Sequence, residues 1–124
     1  MVKWIYLVIG SIAGGFARYL LSGAIYAKTG ADFPYGTFIV NISACLLLGL
    51  FNSLSQEKYL LGPDERILLM TGFCGAYSTF STFILETSNL LSVGELRRGL
   101  INIVLSVGVG FIFYRVGAFL GRVI

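Results

Sequence analysis

About 20 consecutive apolar residues are enough to cross the hydrocarbon core of a bilayer, and this chain consists of four such stretches with little between them. They run from Trp4 to about Ala27, from Gly36 to Leu54, from Arg66 to Leu91 and from Gly99 to about Gly121. An open sheet in lipid would leave its edge groups without partners, so all four read as helices. The connectors KTGADFP, SQEKYLLGPDE and SVGELRR are short and polar. Pro34 and Pro63 sit in or beside them, where a missing N–H costs little. The expected fold is an all-α integral membrane protein, a single four-helix domain over residues 1–124.

Composition closes off the other classes. Apolar residues make up 56% of the chain and charged ones 12%, with a mean hydropathy of +0.86, which excludes an ordinary soluble domain. The net charge of +3 lies on the membrane flanks and forms no nucleic-acid footprint. There is no histidine, which removes the commonest metal ligand and proton shuttle. Cys45 and Cys74 fall inside spans and read as small apolar fillers. The opening MVKWIYLVIGSIAGG imitates a signal peptide, but its apolar pattern resumes after Arg18 and three more spans follow, so it reads as the first span.

Lysine and arginine near helix ends normally fix which loops stay cytoplasmic. One side of the membrane holds Lys3, Lys58, Arg66 and Arg122, with Arg115 nearby; the other holds Lys28, Arg97 and Arg98, with Arg18 nearby. The two sides are almost balanced. Either the count is statistical noise in a short chain, or the chain inserts in both orientations and pairs with an inverted copy. Four short helices leave no room for a lined water path, so transport would need more than one chain. Gly10 and Gly14, Gly117 and Gly121, and the looser pairs Ser106/Gly110 and Cys45/Gly49 have the spacing that lets helices approach closely.

Polar residues deep in a span face a bundle interior or a water-filled path. Thr37, Asn41 and Cys45 share one face of the second helix, and Asn102, Ser106 and Gly110 share one face of the fourth. Interhelical hydrogen bonding and a polar path both account for such stripes. The third span is the exception in composition: GFCGAYSTFSTF, Gly72 to Phe83, carries two glycines, five hydroxyl side chains and three phenylalanines. Its spacing puts Thr79, Thr82, Glu86 and Asn89 along one face and Phe80 and Phe83 on a neighbouring one. Each glycine lowers helix stability by roughly 1 kcal/mol relative to alanine, and the hydroxyls compete for backbone bonds. The expectation is a break near Gly75 to Ser78 whose freed carbonyls can hold a cation; an unbroken glycine-bearing helix also fits the spacing. Hydroxyls, asparagine amides and the positive edges of aromatic rings offer many weak donors, which would bind a small anion without trapping it. Arg18 either snorkels to the interface or draws anions to a vestibule. Glu86 argues against an anion path unless it is protonated or lies off the narrowest part.

The segments GGFARYLL, GTFIVNISACLLLG and above all GFCGAYSTFSTF resemble the Fluc (CrcB-type) fluoride channels, over essentially the whole chain. The resemblance implies a passive, selective fluoride channel of the cell (inner or plasma) membrane that exports fluoride to relieve its toxicity, with no catalytic residues. It implies an antiparallel homodimer of dual-topology subunits with two pores, and a structural Na+ at the dimer centre held by the carbonyls of Gly75 and Ser78 in a broken third helix. By motif, Phe80 and Phe83 would line the pores, with Asn41, Thr37, Ser81, Thr82, Ser106 and Asn102 as further pore residues and Arg18 and Glu86 in a vestibule. The chain reads STFSTF where relatives often read TTFSTF, and has Asn102 where some carry tyrosine. Two other classes compete: a proton-coupled exporter of lipophilic cations resembling small multidrug transporters, with Glu86 as its carboxylate, and a non-transporting membrane scaffold.

Overall fold

The structure, a computed structural model, describes residues 1–124 and is helical throughout, with short connectors. The elements are α1 (Val2–Thr29), α2 (Tyr35–Gln56), α3 (Pro63–Arg66), a π-helical stretch (Ile67–Cys74), α4 (Gly75–Tyr77), α5 (Phe80–Ser92) and α6 (Leu96–Val123). They make four segments apolar and long enough to span a membrane, of 28, 22, 30 and 28 residues, the third running Pro63–Ser92. A 28-residue helix rises about 42 Å, beyond the ~30 Å of a hydrocarbon core, so its ends reach the headgroups. The chain is a multi-pass membrane protein.

Each helix therefore starts or stops a few residues outside its apolar stretch. Apolarity marks what lipid covers, whereas the helix continues into the interface until a residue ends it. Gly30 (φ 76°) follows α1 and Gly94 (φ 83°) follows the segment ending at Ser92, both in left-handed conformations that favour glycine. Pro63 opens α3, where its lacking N–H would have no helical partner.

Two tight helix contacts organise the fold: α1 lies against the π-helical stretch, and α2 lies along α6. At the first, a Cβ on Gly10 would sit 2.2 Å from the Leu68 carbonyl oxygen and one on Gly14 2.3 Å from that of Phe73. At the second, a Cβ on Gly49 would meet the Tyr114 carbonyl at 2.1 Å and one on Gly117 the Leu46 carbonyl at 2.0 Å. Backbones thus touch backbones, as small-residue spacing in membrane helices allows. The glycine pairs seen in the sequence belong to these two seams.

Only 21 of 124 residues are buried, among them the apolar cluster Val40, Ala44 and Tyr77. A water-soluble chain of this size could not leave so much apolar side chain outside; here it faces lipid or another chain. Glu57 on the second connector takes both contacts from Arg122 Nε, at 3.0 and 2.9 Å, and ties the end of α2 to the end of α6.

Candidate functional site along the third span

The backbone leaves the helix at two residues. Ser78 (φ −78°, ψ 158°) and Thr79 (φ −150°, ψ 112°) are extended, and α5 resumes at Phe80. Within the expected stretch, Gly75 to Ser78, only the last residue leaves the helix: Gly75 is helical (φ −63°, ψ −38°) and Gly72 lies within the π-helical stretch. Packing against α1 explains this, since the α-carbon of Gly10 fills the space where Gly72 would carry a side chain. Gly72 serves close approach, whereas nothing crowds Gly75, and the change in backbone falls after both, where hydroxyl residues can replace the lost bonds.

Asn41, one of the stripe residues on α2, supplies that replacement. Its Oδ1 accepts from the Thr79 N–H at 2.8 Å and its Nδ2 donates to the Thr79 carbonyl at 3.0 Å, so one amide side chain satisfies both backbone groups of the extended residue. In a continuous helix the Thr79 N–H would go to Gly75. Thr79 in turn caps α5: its Oγ1 accepts from the Thr82 N–H at 3.2 Å and donates to Thr82 Oγ1 at 2.9 Å. The Thr82 hydroxyl proton has no protein acceptor of its own. Ser81, 3.5 Å from the Thr79 hydroxyl, is exposed. Arg18 reaches the same region from α1 and donates from Nε to the Ala76 carbonyl at 3.1 Å, half-buried.

One turn along α2 from Asn41, the buried Thr37 belongs to a second cluster. Thr37 Oγ1 donates to one oxygen of Glu86 and the Tyr26 hydroxyl donates to the other. The Tyr26 oxygen also accepts the Thr37 N–H at 3.2 Å. That N–H lies in the first turn of α2, which has no side-chain cap from Pro34, so Tyr26 caps the helix from outside. Tyr26 is a site residue that the sequence reading missed. A signal was present: Arg18, Ser22 and Tyr26 recur every four residues and form a polar stripe on α1. Beside Glu86 a cavity of about 530 Å³ opens between the helix ends, lined in part by Tyr26, Asp32, Asn89, Glu95 and Arg98. Arg98 is 3.8 Å from Glu95.

The aromatic pair does not share one surface of the subunit. Phe83 is 8% exposed, whereas Phe80 is 75% exposed, with ring centroids 5.9 Å apart. Behind Phe83 stands a third cluster: Thr87 on α5 and Asn102 on α6 are buried and bonded to one another, with Ser106 bonded to Asn102. Asn102 is thus enclosed by protein and Ser106 half-buried. No group of three or more histidine, cysteine, aspartate or glutamate side chains could hold a metal ion. The backbone oxygens to which the motif points for a cation are those of Gly75, which is helical and exposed, and Ser78, which is extended and half-buried.

In chemical terms, the second and third spans together carry a column of hydrogen-bonding groups from the cavity at Glu86 through Thr37 to Asn41, Thr79 and Thr82, within segments long and apolar enough to cross a membrane. Residues 5–118 match the model of the CrcB-like protein, Camphor Resistance (CrcB) family. The chain belongs to the CrcB-like family. Among CrcB-like relatives, the "Fluoride-specific ion channel FluC" of Maridesulfovibrio salexigens is 40% identical over 124 residues, covering 100% of this chain and 98% of that protein. The protein of the same name from Solidesulfovibrio magneticus is 42% identical over 119 residues, covering 96% of this chain and 95% of its own. That of Synechocystis sp. is 38% identical over 116 residues, covering 94% and 89%. The family resemblance drawn from the sequence motifs is therefore correct.

Proposed function

We propose that this chain is a passive fluoride channel that lets fluoride leave the cytoplasm across the inner or plasma membrane, working as an antiparallel homodimer with two pores. The observation that carries the reading is the column of neutral donors and aromatic edges at membrane depth, in a chain whose full-length relatives bear the name of fluoride-specific channels. Fluoride is small and strongly hydrated, so a path must replace its water with several donors at each step and hold it weakly enough to release it. Thr82 and Ser81 offer hydroxyl protons, Asn41 keeps an N–H beyond the one given to Thr79, and Phe80 and Phe83 offer ring edges. Phe80, exposed on the single subunit, is the surface that a second copy covers. Arg18 and the Glu86 cavity belong to the vestibule.

A structural Na+ at the dimer centre fits the same segment. The Gly75 and Ser78 carbonyls from two subunits would hold it, and its charge would offset carbonyl dipoles brought together by the non-helical backbone. Replacing Na+ by a bulky organic cation should then lower the thermal stability of the purified dimer; identical melting in both media would remove the ion. The exporter of lipophilic cations needs a free carboxylate, whereas both oxygens of Glu86 are engaged by Tyr26 and Thr37, and no observation favours that reading.

The deciding experiment is efflux from liposomes containing the purified chain, followed with a fluoride electrode. Fluoride should run down its gradient with no proton gradient applied, and chloride should stay near the protein-free rate. Protein correctly inserted but silent to fluoride, with a cationic dye moved by a proton gradient, would return the assignment to an exporter.

A further inference from the structure

We infer that Asn102 is a positioning residue for fluoride passage, a buried amide relay that sets whether the Ser106 hydroxyl offers its proton to a passing anion. This rests on the fluoride reading above and adds to it a residue that never touches the ion. Asn102 is 1% exposed and Thr87 4%, so neither lies on an open path. Ser106 is half-buried and reaches a surface groove of about 350 Å³ with Cys45, Gly110, Phe111 and Tyr114, from which an anion could meet it.

Three bonds join Ser106 to the backbone behind the pore phenylalanine. Ser106 Oγ donates to Asn102 Oδ1 at 3.2 Å, Asn102 Nδ2 donates to Thr87 Oγ1 at 2.8 Å, and Thr87 Oγ1 donates to the Phe83 carbonyl at 2.7 Å. In this arrangement the Ser106 proton points away from the groove, and only its oxygen faces an anion. Were the hydroxyl simply to turn, the buried Asn102 Oδ1 would lose its donor, which is unfavourable.

Rotating the Asn102 amide by half a turn avoids that loss. Nδ2 then donates to Ser106 Oγ, which frees the Ser106 proton for fluoride, and Thr87 redirects its proton from the Phe83 carbonyl to Asn102 Oδ1. The Phe83 carbonyl keeps its helical donor in α5. Each side-chain group has a partner in both arrangements, and a hydroxyl that accepts a hydrogen bond donates a stronger one. The relay thus makes Ser106 a donor only while an anion is there to receive it, the property a path needs if it is to bind and release.

Thr87→Val keeps the shape of the side chain and removes the relay's far end, whereas Thr87→Ser keeps the hydroxyl. Fluoride efflux from liposomes should fall about tenfold in the first and stay within about twofold in the second. In a Ser106→Ala background, Thr87→Val should change the remaining efflux by less than about twofold, because the relay has nothing left to act on. Wild-type efflux in Thr87→Val, or an equal loss in both backgrounds, overturns the relay; the second result would mark a purely structural bond. Should Thr87→Val not elute as a folded dimer, Asn102→Asp carries the test: it matches the shape, can only accept from Ser106, and should show the same loss. Absence of fluoride efflux from the unmodified protein overturns the function itself, whereas efflux indifferent to Thr87 and Asn102 overturns only the relay.

Discussion

Asn41 and Tyr26 show how single side chains make a non-helical segment stable in a membrane. Removing both bonds to Thr79 leaves a half-buried N–H and C=O without partners, each costing about 1–3 kcal/mol where water does not replace them. Asn41→Leu should therefore destabilise the purified protein by about 3 kcal/mol, seen as a lower melting temperature, and abolish fluoride efflux. Tyr26→Phe keeps the ring but removes the cap on α2 and a donor to Glu86; a lost cap costs about 1 kcal/mol. Its melting temperature should fall only slightly while efflux falls severalfold, because Glu86 loses one of its two donors. Thr37, Asn41 and Glu86 were legible from four-residue spacing. What each one bonds to was not, because Asn41 meets a backbone 38 positions away and spacing is silent about partners in space.

The elements were legible to the extent that lipid writes them. Hydropathy marks the four spans directly, and their overshoot into the interface follows from Gly30, Pro63 and Gly94. The π-helical stretch was not legible, since bonds to the fifth residue have no side-chain signature that separates them from bonds to the fourth. Of the extended residues, Ser78 lies at the edge of the expected stretch and Thr79 just beyond it, because the helix-weakening Gly72 is overridden where α1 packs onto it. The seam makes this testable. In Gly14→Val the added carbons would meet the Phe73 carbonyl and the Tyr77 N–H, both backbone atoms that cannot swing aside. The cost should be about 1–3 kcal/mol of overpacking, with α1 displaced from the very segment that leads into Ser78 and Thr79. Gly15→Val, one residue away with nothing within 4 Å, should melt like the unmodified protein.

At the scale of the whole molecule, lysine and arginine are nearly balanced between the two membrane faces, which is the count that sets orientation. With little to choose a side, the chain should insert in both orientations, and the exposed Phe80 face would then be open to an inverted copy, as the proposed channel requires. Added lysines can force the choice. Gln56→Lys with Leu60→Lys loads the connector after α2, and Thr29→Lys with Ser92→Lys loads the opposite face; all four positions are exposed. Each pair expressed alone should fix a single orientation and give vesicles without fluoride efflux, because every subunit lacks its inverted partner. Expressed together, the two should restore efflux, since each supplies the orientation the other has lost. Full efflux from either lysine pair alone, with labelling confirming one orientation, would mean that the subunits pair in parallel and that the path is built differently. Restoration only on co-expression would tie the charge balance, read first in the loops, to the exposed surface around Phe80 as the place where two opposed copies would pair.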